Sequence, residues 1–134
     1  MTTPTTELDE ENMREAIAEA SLAASEGRMP FGSVLSDVNG KILFRARNQC
    51  QQAKKRGGGV GDVTRHAEME LVRMFTTQLP TEQRASCTLY TSTEPCVMCA
   101  GAIYWSGGKS WHLENPLQNY FFGELFFSFY SFNF

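Results

Sequence analysis

Three observations predict a layered α/β domain in which helices pack on a mixed sheet. Helical and strand-like patterns alternate along the chain in the order helix, strand, strand, helix, strand, helix. An Asn39-Gly40 pair stands between two strand-like runs, which is a strong hairpin signal. The 134 residues carry no internal repeat and are enough for one domain with its own core.

The elements follow in order. Met1–Glu7 reads as a flexible, Thr-rich start, with no charged segment leading into an apolar one, so secretion is not supported and a cytoplasmic protein is expected. From Asp9 to about Ser25, Met13, Ile17, Ala20 and Ala24 recur at helical spacing, while Glu11, Arg14, Glu15 and Glu19 fall elsewhere. This amphipathic helix should stop near Gly27. Pro30-Phe31-Gly32 opens the run Ser33-Val34-Leu35, and Lys41-Ile42-Leu43-Phe44 follows the Asn-Gly pair, which predicts strands at about 31–36 and 41–47.

Gln49 to Val63 has no apolar period and holds Lys54-Lys55-Arg56 and Gly57-Gly58-Gly59-Val60-Gly61, so it is expected to be a loop. A second helix is predicted from Thr64, with Thr64 or Asp62 as N-cap and Met69, Val72 and Phe75 in phase, ending before Pro80. Thr88-Leu89-Tyr90-Thr91 reads as a strand. A third helix is predicted to start at Pro95 and run to about Trp105. Residues 109–134 match no period and contain seven of the ten phenylalanines. As a membrane segment Leu125–Phe134 is too short, and the tail is expected to stay loose and expose an aromatic patch, the other option being a strand at Leu125–Phe134 buried on both faces.

Composition narrows the function. A formal charge of -3 argues against wide non-specific nucleic-acid binding, which normally needs a basic excess. Of four cysteines, Cys96 and Cys99 form a C-x-x-C directly after Pro95, a spacing that favours metal or redox chemistry over a structural bridge in a chain that is not secreted. Cys50 and Cys87 have no evident partner.

In a helix starting at Pro95 the two sulfurs would leave one face of the first turn, where free N–H groups and the helix dipole favour thiolate. Two thiolates close together need a cation between them, and Zn²⁺ is the usual occupant of sulfur and imidazole sites. His66 is the candidate third ligand. Three protein ligands are the arrangement of a catalytic zinc, whose fourth position is open to water with a pKa lowered towards about 7. A closed structural site would need a fourth ligand, and the other histidine, His112, lies in the unpatterned tail. Glu68 is the candidate proton shuttle, although residues two apart in a helix do not share a face.

Each motif has a plainer reading. His66 alone could be a structural histidine, and Cys96 with Cys99 alone could be a redox pair or half a zinc knuckle. Lys54-Lys55-Arg56 reads as a solvated charge run, with RNA phosphates as the lesser option. The run Gly57–Gly61 lacks a G-x-G-x-x-G spacing, and Gly108-Lys109-Ser110 is not a Walker motif because Ile103 stands where its first glycine belongs.

His66-Ala67-Glu68 followed by Pro95-Cys96-Val97-Met98-Cys99 resembles the cytidine and deoxycytidylate deaminase superfamily. The resemblance runs from about Phe31 to Ser106, and Leu89–Trp105 is most similar to the guanine deaminase, tRNA adenosine deaminase and nucleoside deaminase branch. It implies a three-layer α/β/α cytidine-deaminase-like fold with a mixed central sheet, a zinc deaminase domain over residues 1–108, and an atypical, aromatic-rich tail over 109–134 that does not match the family's continuation. It also implies one Zn²⁺ per chain on His66, Cys96 and Cys99, a proton shuttle at Glu68, contacts to the base from Asn48 and the Ala67 N–H, and a homodimer. The implied reaction is hydrolytic loss of the exocyclic amine of a nucleobase or nucleoside as ammonia. An acidic chain with a single basic triplet favours a free, guanine-like purine. Cytosine, tRNA adenosine or an inactive zinc-binding module remain alternatives.

Overall fold

The computed structural model describes residues 6–50 and 61–107. Lys54-Lys55-Arg56, Gly57–Val60, His112 and the whole of 109–134 lie outside the described residues, and so do the expectations attached to them. In chain order the elements are α1 (Glu7–Ser25), β1 (Gly32–Ser36), β2 (Ile42–Arg47), α2 (Ala67–Gln78), α3 (Thr81–Arg84), β3 (Thr88–Thr91) and α4 (Val97–Trp105).

The sheet order is β2-β1-β3. Asn39-Gly40 does close the β1–β2 hairpin: the Gly40 N–H donates to the Asp37 carbonyl at 3.0 Å, and the glycine takes the left-handed φ of +80° that this turn requires. Both described pairings are antiparallel, Leu35 lying opposite Phe44 in one and opposite Leu89 in the other. The expected mixed sheet is therefore antiparallel throughout its described part. The alternating helix and strand pattern suggested parallel neighbours, and β2-α2-β3 is indeed a crossover between strands that run the same way. The first strand, however, lies between them.

Because β1 is central, all five of its residues are buried. Its alternating side chains build two separate cores. Val34 joins Tyr90 and Ala16, with Met13 and Ile42 packed alongside, under α1. Leu35 joins Leu89, Ala46, Leu71, Phe75 and Ile103 on the α2 and α4 side. Helices cover both faces of one sheet, which is the three-layer arrangement.

The first helix departs from its expected phase and start. It begins at Glu7 because the Thr6 hydroxyl accepts from the Asp9 N–H at 3.2 Å while the Asp9 carboxylate accepts from the Thr6 N–H at 2.8 Å, a reciprocal cap. Its buried side consists of Asn12, Ala16, Glu19, Ala20 and Ala23, whereas Ile17 and Ala24 are exposed. Close approach explains the small residues. A Cβ placed on Gly32 would lie 2.5 Å from the Ala20 nitrogen and 2.6 Å from the Glu19 Cβ, so only glycine lets this strand meet the helix.

The buried polar residues of α1, Asn12 and Glu19, are both engaged. Asn12 Nδ2 donates to the Gly40 carbonyl at 3.0 Å, and the Tyr90 hydroxyl donates to Asp9 Oδ1 at 2.6 Å. Burial, reinforced by Asp9, pushes the Tyr90 phenol up. Arg47 holds both Glu19 and Glu26 at 2.8 Å, and these bonds raise its pKa further.

The short α3 was not expected, since four residues cannot show a period. Its Arg84 donates from Nε to the Leu79 carbonyl at 2.9 Å and from Nη1 to the Ser106 carbonyl at 2.7 Å. One guanidinium thus serves the C-terminal ends of both α2 and α4.

Replacing Gly32 by alanine forces α1 off the sheet. Gly32→Ala should lower unfolding stability by about 1–3 kcal/mol, the usual cost of overpacking, read as a reduced midpoint in thermal or urea denaturation. An unchanged midpoint would show that the helix can shift outwards freely.

Candidate metal centre and active site

The site is assembled at two helix starts. His66 is the N-cap of α2 with φ -67° and ψ 155°, and Cys96 is the N-cap of α4 with φ -69° and ψ 169°. Neither side chain bonds its own helix backbone, so each is free to reach across. Both helices therefore begin later than the sequence suggests. Thr64 and Asp62 form a turn ahead of α2, in which Asp62 Oδ1 accepts from the Thr64 N–H at 2.8 Å and from its hydroxyl at 2.6 Å. Pro95 precedes the cap of α4 and does not start the helix.

His66 Nδ1 lies 3.5 Å from the Cys96 sulfur and 3.6 Å from the Cys99 sulfur, and the three donor atoms all fall within 4.8 Å of one another. A tetrahedral zinc with Zn–S of about 2.3 Å and Zn–N of about 2.0–2.1 Å would set nitrogen and sulfur about 3.6 Å apart. The donor set therefore fits zinc in both chemistry and spacing. The sequence expected these three residues to converge, and the fold brings them together.

The electrostatics of the pocket differ from the expectation. Helix N-termini lower a thiol pKa, yet burial, then the neighbouring Glu68 and Cys96, push the Cys99 thiol well above its ordinary value. Desolvation and like charge outweigh the dipole here. A cation among the donors reverses the balance, because it compensates both effects at once.

Glu68, the second residue of α2, is 3% exposed. It acts on the Cys99 thiol from close by without belonging to the three-donor group. Because His66 precedes the helix in extended backbone, the helical argument that residues two apart diverge does not apply to this pair. The Thr91 hydroxyl donates to Glu68 Oε1 at 2.8 Å. This partner was missed in the sequence; the signal was a polar residue on the Leu89 side of β3, the side that faces α2.

Asn48 follows β2 and is 1% exposed, with its Oδ1 accepting from the Cys50 N–H at 3.0 Å. The Gln49 N–H donates to the Arg65 carbonyl at 2.9 Å, which fastens the strand end to the chain entering α2. Asn48 is thereby held near the segment that carries His66. Ala67 is fully buried and is the first residue of α2, where the N–H has no intrahelical acceptor.

The chain should bind about one zinc ion, and His66→Ala or Cys96→Ala should abolish binding. Because the Cys99 thiol is held above its ordinary value, it is protonated at neutral pH and must release its proton on binding. Affinity should therefore weaken as pH falls, by about tenfold per pH unit for each proton released. Zinc titrations at pH 8 and pH 6 check both points; a pH-independent affinity would show that the thiol is already ionised.

The chain is similar to known proteins. The family described as "Cytidine and deoxycytidylate deaminase zinc-binding region" matches residues 6–114. The Schizosaccharomyces pombe protein named "Probable cytosine deaminase" is 44% identical over 106 residues, covering 76% of this chain and 59% of that protein. The chain thus spans about three fifths of that relative's length. The tRNA-specific adenosine deaminase of Bacillus subtilis (strain 168) is 40% identical over 123 residues, 82% of this chain and 71% of that protein. The X-ray structure of guanine deaminase from Bacillus subtilis superposes with a TM-score of 0.61 at 33% identity, over 78% of this chain and 63% of that one. With the family match running through both helix starts and the donors set at zinc spacing, the chain belongs to the cytidine and deoxycytidylate deaminase family, whose zinc-binding region it carries.

Proposed function

We propose that the chain is a zinc-dependent hydrolytic deaminase acting on a nucleobase or nucleoside, with a guanine-like purine as the favoured substrate. The observation that carries this reading is Glu68: a buried carboxylate beside a three-donor metal group to which it does not belong. With three protein donors, one coordination position remains for a non-protein ligand. Zinc bound there supplies a water whose pKa is lowered towards about 7. Glu68 would take one proton from the attacking water and deliver it to a ring nitrogen as the C–O bond forms, then take the second from the new hydroxyl and deliver it to the amine; the C–N bond breaks, oxygen replaces nitrogen on the ring carbon and ammonia leaves. Asn48 and the Ala67 N–H orient the base.

The charge distribution supports a small substrate. Arg45 pairs with Glu15, Arg47 with Glu19 and Glu26, and Arg65 and Arg73 with Glu70, so each of these arginines has a carboxylate partner, which leaves less free positive charge for an RNA backbone. Cytosine is the second reading, favoured by the identity to the Schizosaccharomyces pombe protein. Deamination of tRNA adenosine ranks behind it, together with an inactive zinc-binding module. The same reading makes the chain a cytoplasmic homodimer. Val97, Tyr104 and Trp105 leave α4 exposed and apolar, Trp105 by 82%, and a second copy would cover them. Among the described residues no helix is long and apolar enough to cross a membrane.

Ammonia release from guanine, adenine, cytosine, their nucleosides and a tRNA anticodon stem-loop tests the proposal. A free base or nucleoside should win, and Glu68→Gln should keep its zinc while losing about 10²–10⁴-fold in rate, the usual contribution of a general acid–base group. A stem-loop preference that falls steeply with salt would replace the small substrate by RNA. Wild-type turnover in the variant would remove Glu68 from the mechanism.

A further inference from the structure

A proton shuttle works when the same carboxylate oxygen faces the reacting atoms at each step. Glutamate does not supply that by itself, because its terminal torsion is broad and roughly two-fold. In this fold Glu68 Oε1 is already occupied by the Thr91 hydroxyl at 2.8 Å, and both residues are buried.

Strand register explains why a hydroxyl stands there. Leu89 lies opposite Leu35 in the α2-side core, and Tyr90 lies opposite Val34 in the α1-side core. By alternation Thr91 and its partner Ser33 face α2. A valine at position 91 would fill nearly the same volume, so the threonine adds a hydroxyl and little else to the packing. Ser33 supplies an internal comparison, since its hydroxyl is buried in the same layer but has no hydrogen-bond partner.

We infer that Thr91 is a positioning residue for the deamination. It donates to Glu68 Oε1, fixes the plane of the carboxylate, and leaves Oε2 as the oxygen that exchanges protons with water, ring nitrogen and amine. The inference rests on the proposed role of Glu68 as shuttle, and it assigns a function to a β3 side chain outside the three metal donors.

The test compares zinc-loaded wild type with Thr91→Val, Thr91→Ser and Ser33→Ala. Thr91→Val should fold, keep its zinc and hold KM within about twofold, while kcat falls about 10–100-fold, the scale of a misplaced catalytic group. Thr91→Ser, which restores the donor, should return kcat to within about threefold of wild type, and Ser33→Ala should stay within about twofold. An unchanged kcat in Thr91→Val, or equal losses in the valine and serine variants, would overturn the inference. Crystal structures of wild type and Thr91→Val give a readout independent of turnover: the Glu68 carboxylate should hold one orientation in the first and rotate in the second. If the orientations are identical, Thr91 does not position Glu68, whatever the activity. If they differ but the wild type releases no ammonia from any base, the positioning stands and the deaminase reading fails.

Discussion

Two sulfurs and an imidazole nitrogen gathered within 4.8 Å can be ionised together only if a cation joins them, and bringing them together organises the domain. The donors come from the first residues of two helices that follow different strands. For them to meet, α2 and α4 must pack on the same side of the sheet and begin at the same end. The sheet achieves this through β1, which separates β2 from β3 and makes both run the same way. Zinc binding and the three-layer fold are therefore one constraint seen at two scales.

The metal donors were legible in the sequence because ligand chemistry is local. His66, Cys96 and Cys99 carry their meaning in residue type and spacing, and no tertiary context is needed to see it. The helix starts were misplaced for a related reason. Capping preference favours Ser, Thr, Asp or Asn, but in both helices the cap position is filled by a metal donor, so the usual signal pointed to Asp62, Thr64 and Pro95 instead. Function took the capping positions.

Other parts were hidden because they depend on contacts between distant segments. The buried side of α1 carries alanines, Asn12 and Glu19 and leaves Ile17 outside, an arrangement that makes sense only beside the Gly32 backbone and Arg47. Arg84 would pass for a surface charge until the ends of α2 and α4 are placed near it. Thr91 looks like an ordinary strand residue until the register turns it towards Glu68. In each case a polar residue does what an apolar pattern cannot reveal, and the partner is remote in sequence.

The hydrogen bond between Tyr90 and Asp9 joins residues 81 positions apart and bears on how the domain assembles. The β1–β2 hairpin closes over a few residues and can form early, whereas α1 completes its contacts with the sheet only when β3 has docked beside β1. Contacts of such long separation bear the full entropy of loop closure before they are rewarded, and they slow folding. The donors on α4 come later still in the chain than β3. The ion-binding geometry thus needs β3 placed beside β1 as well as the hairpin, and metal uptake would lock a topology that the hairpin alone does not define.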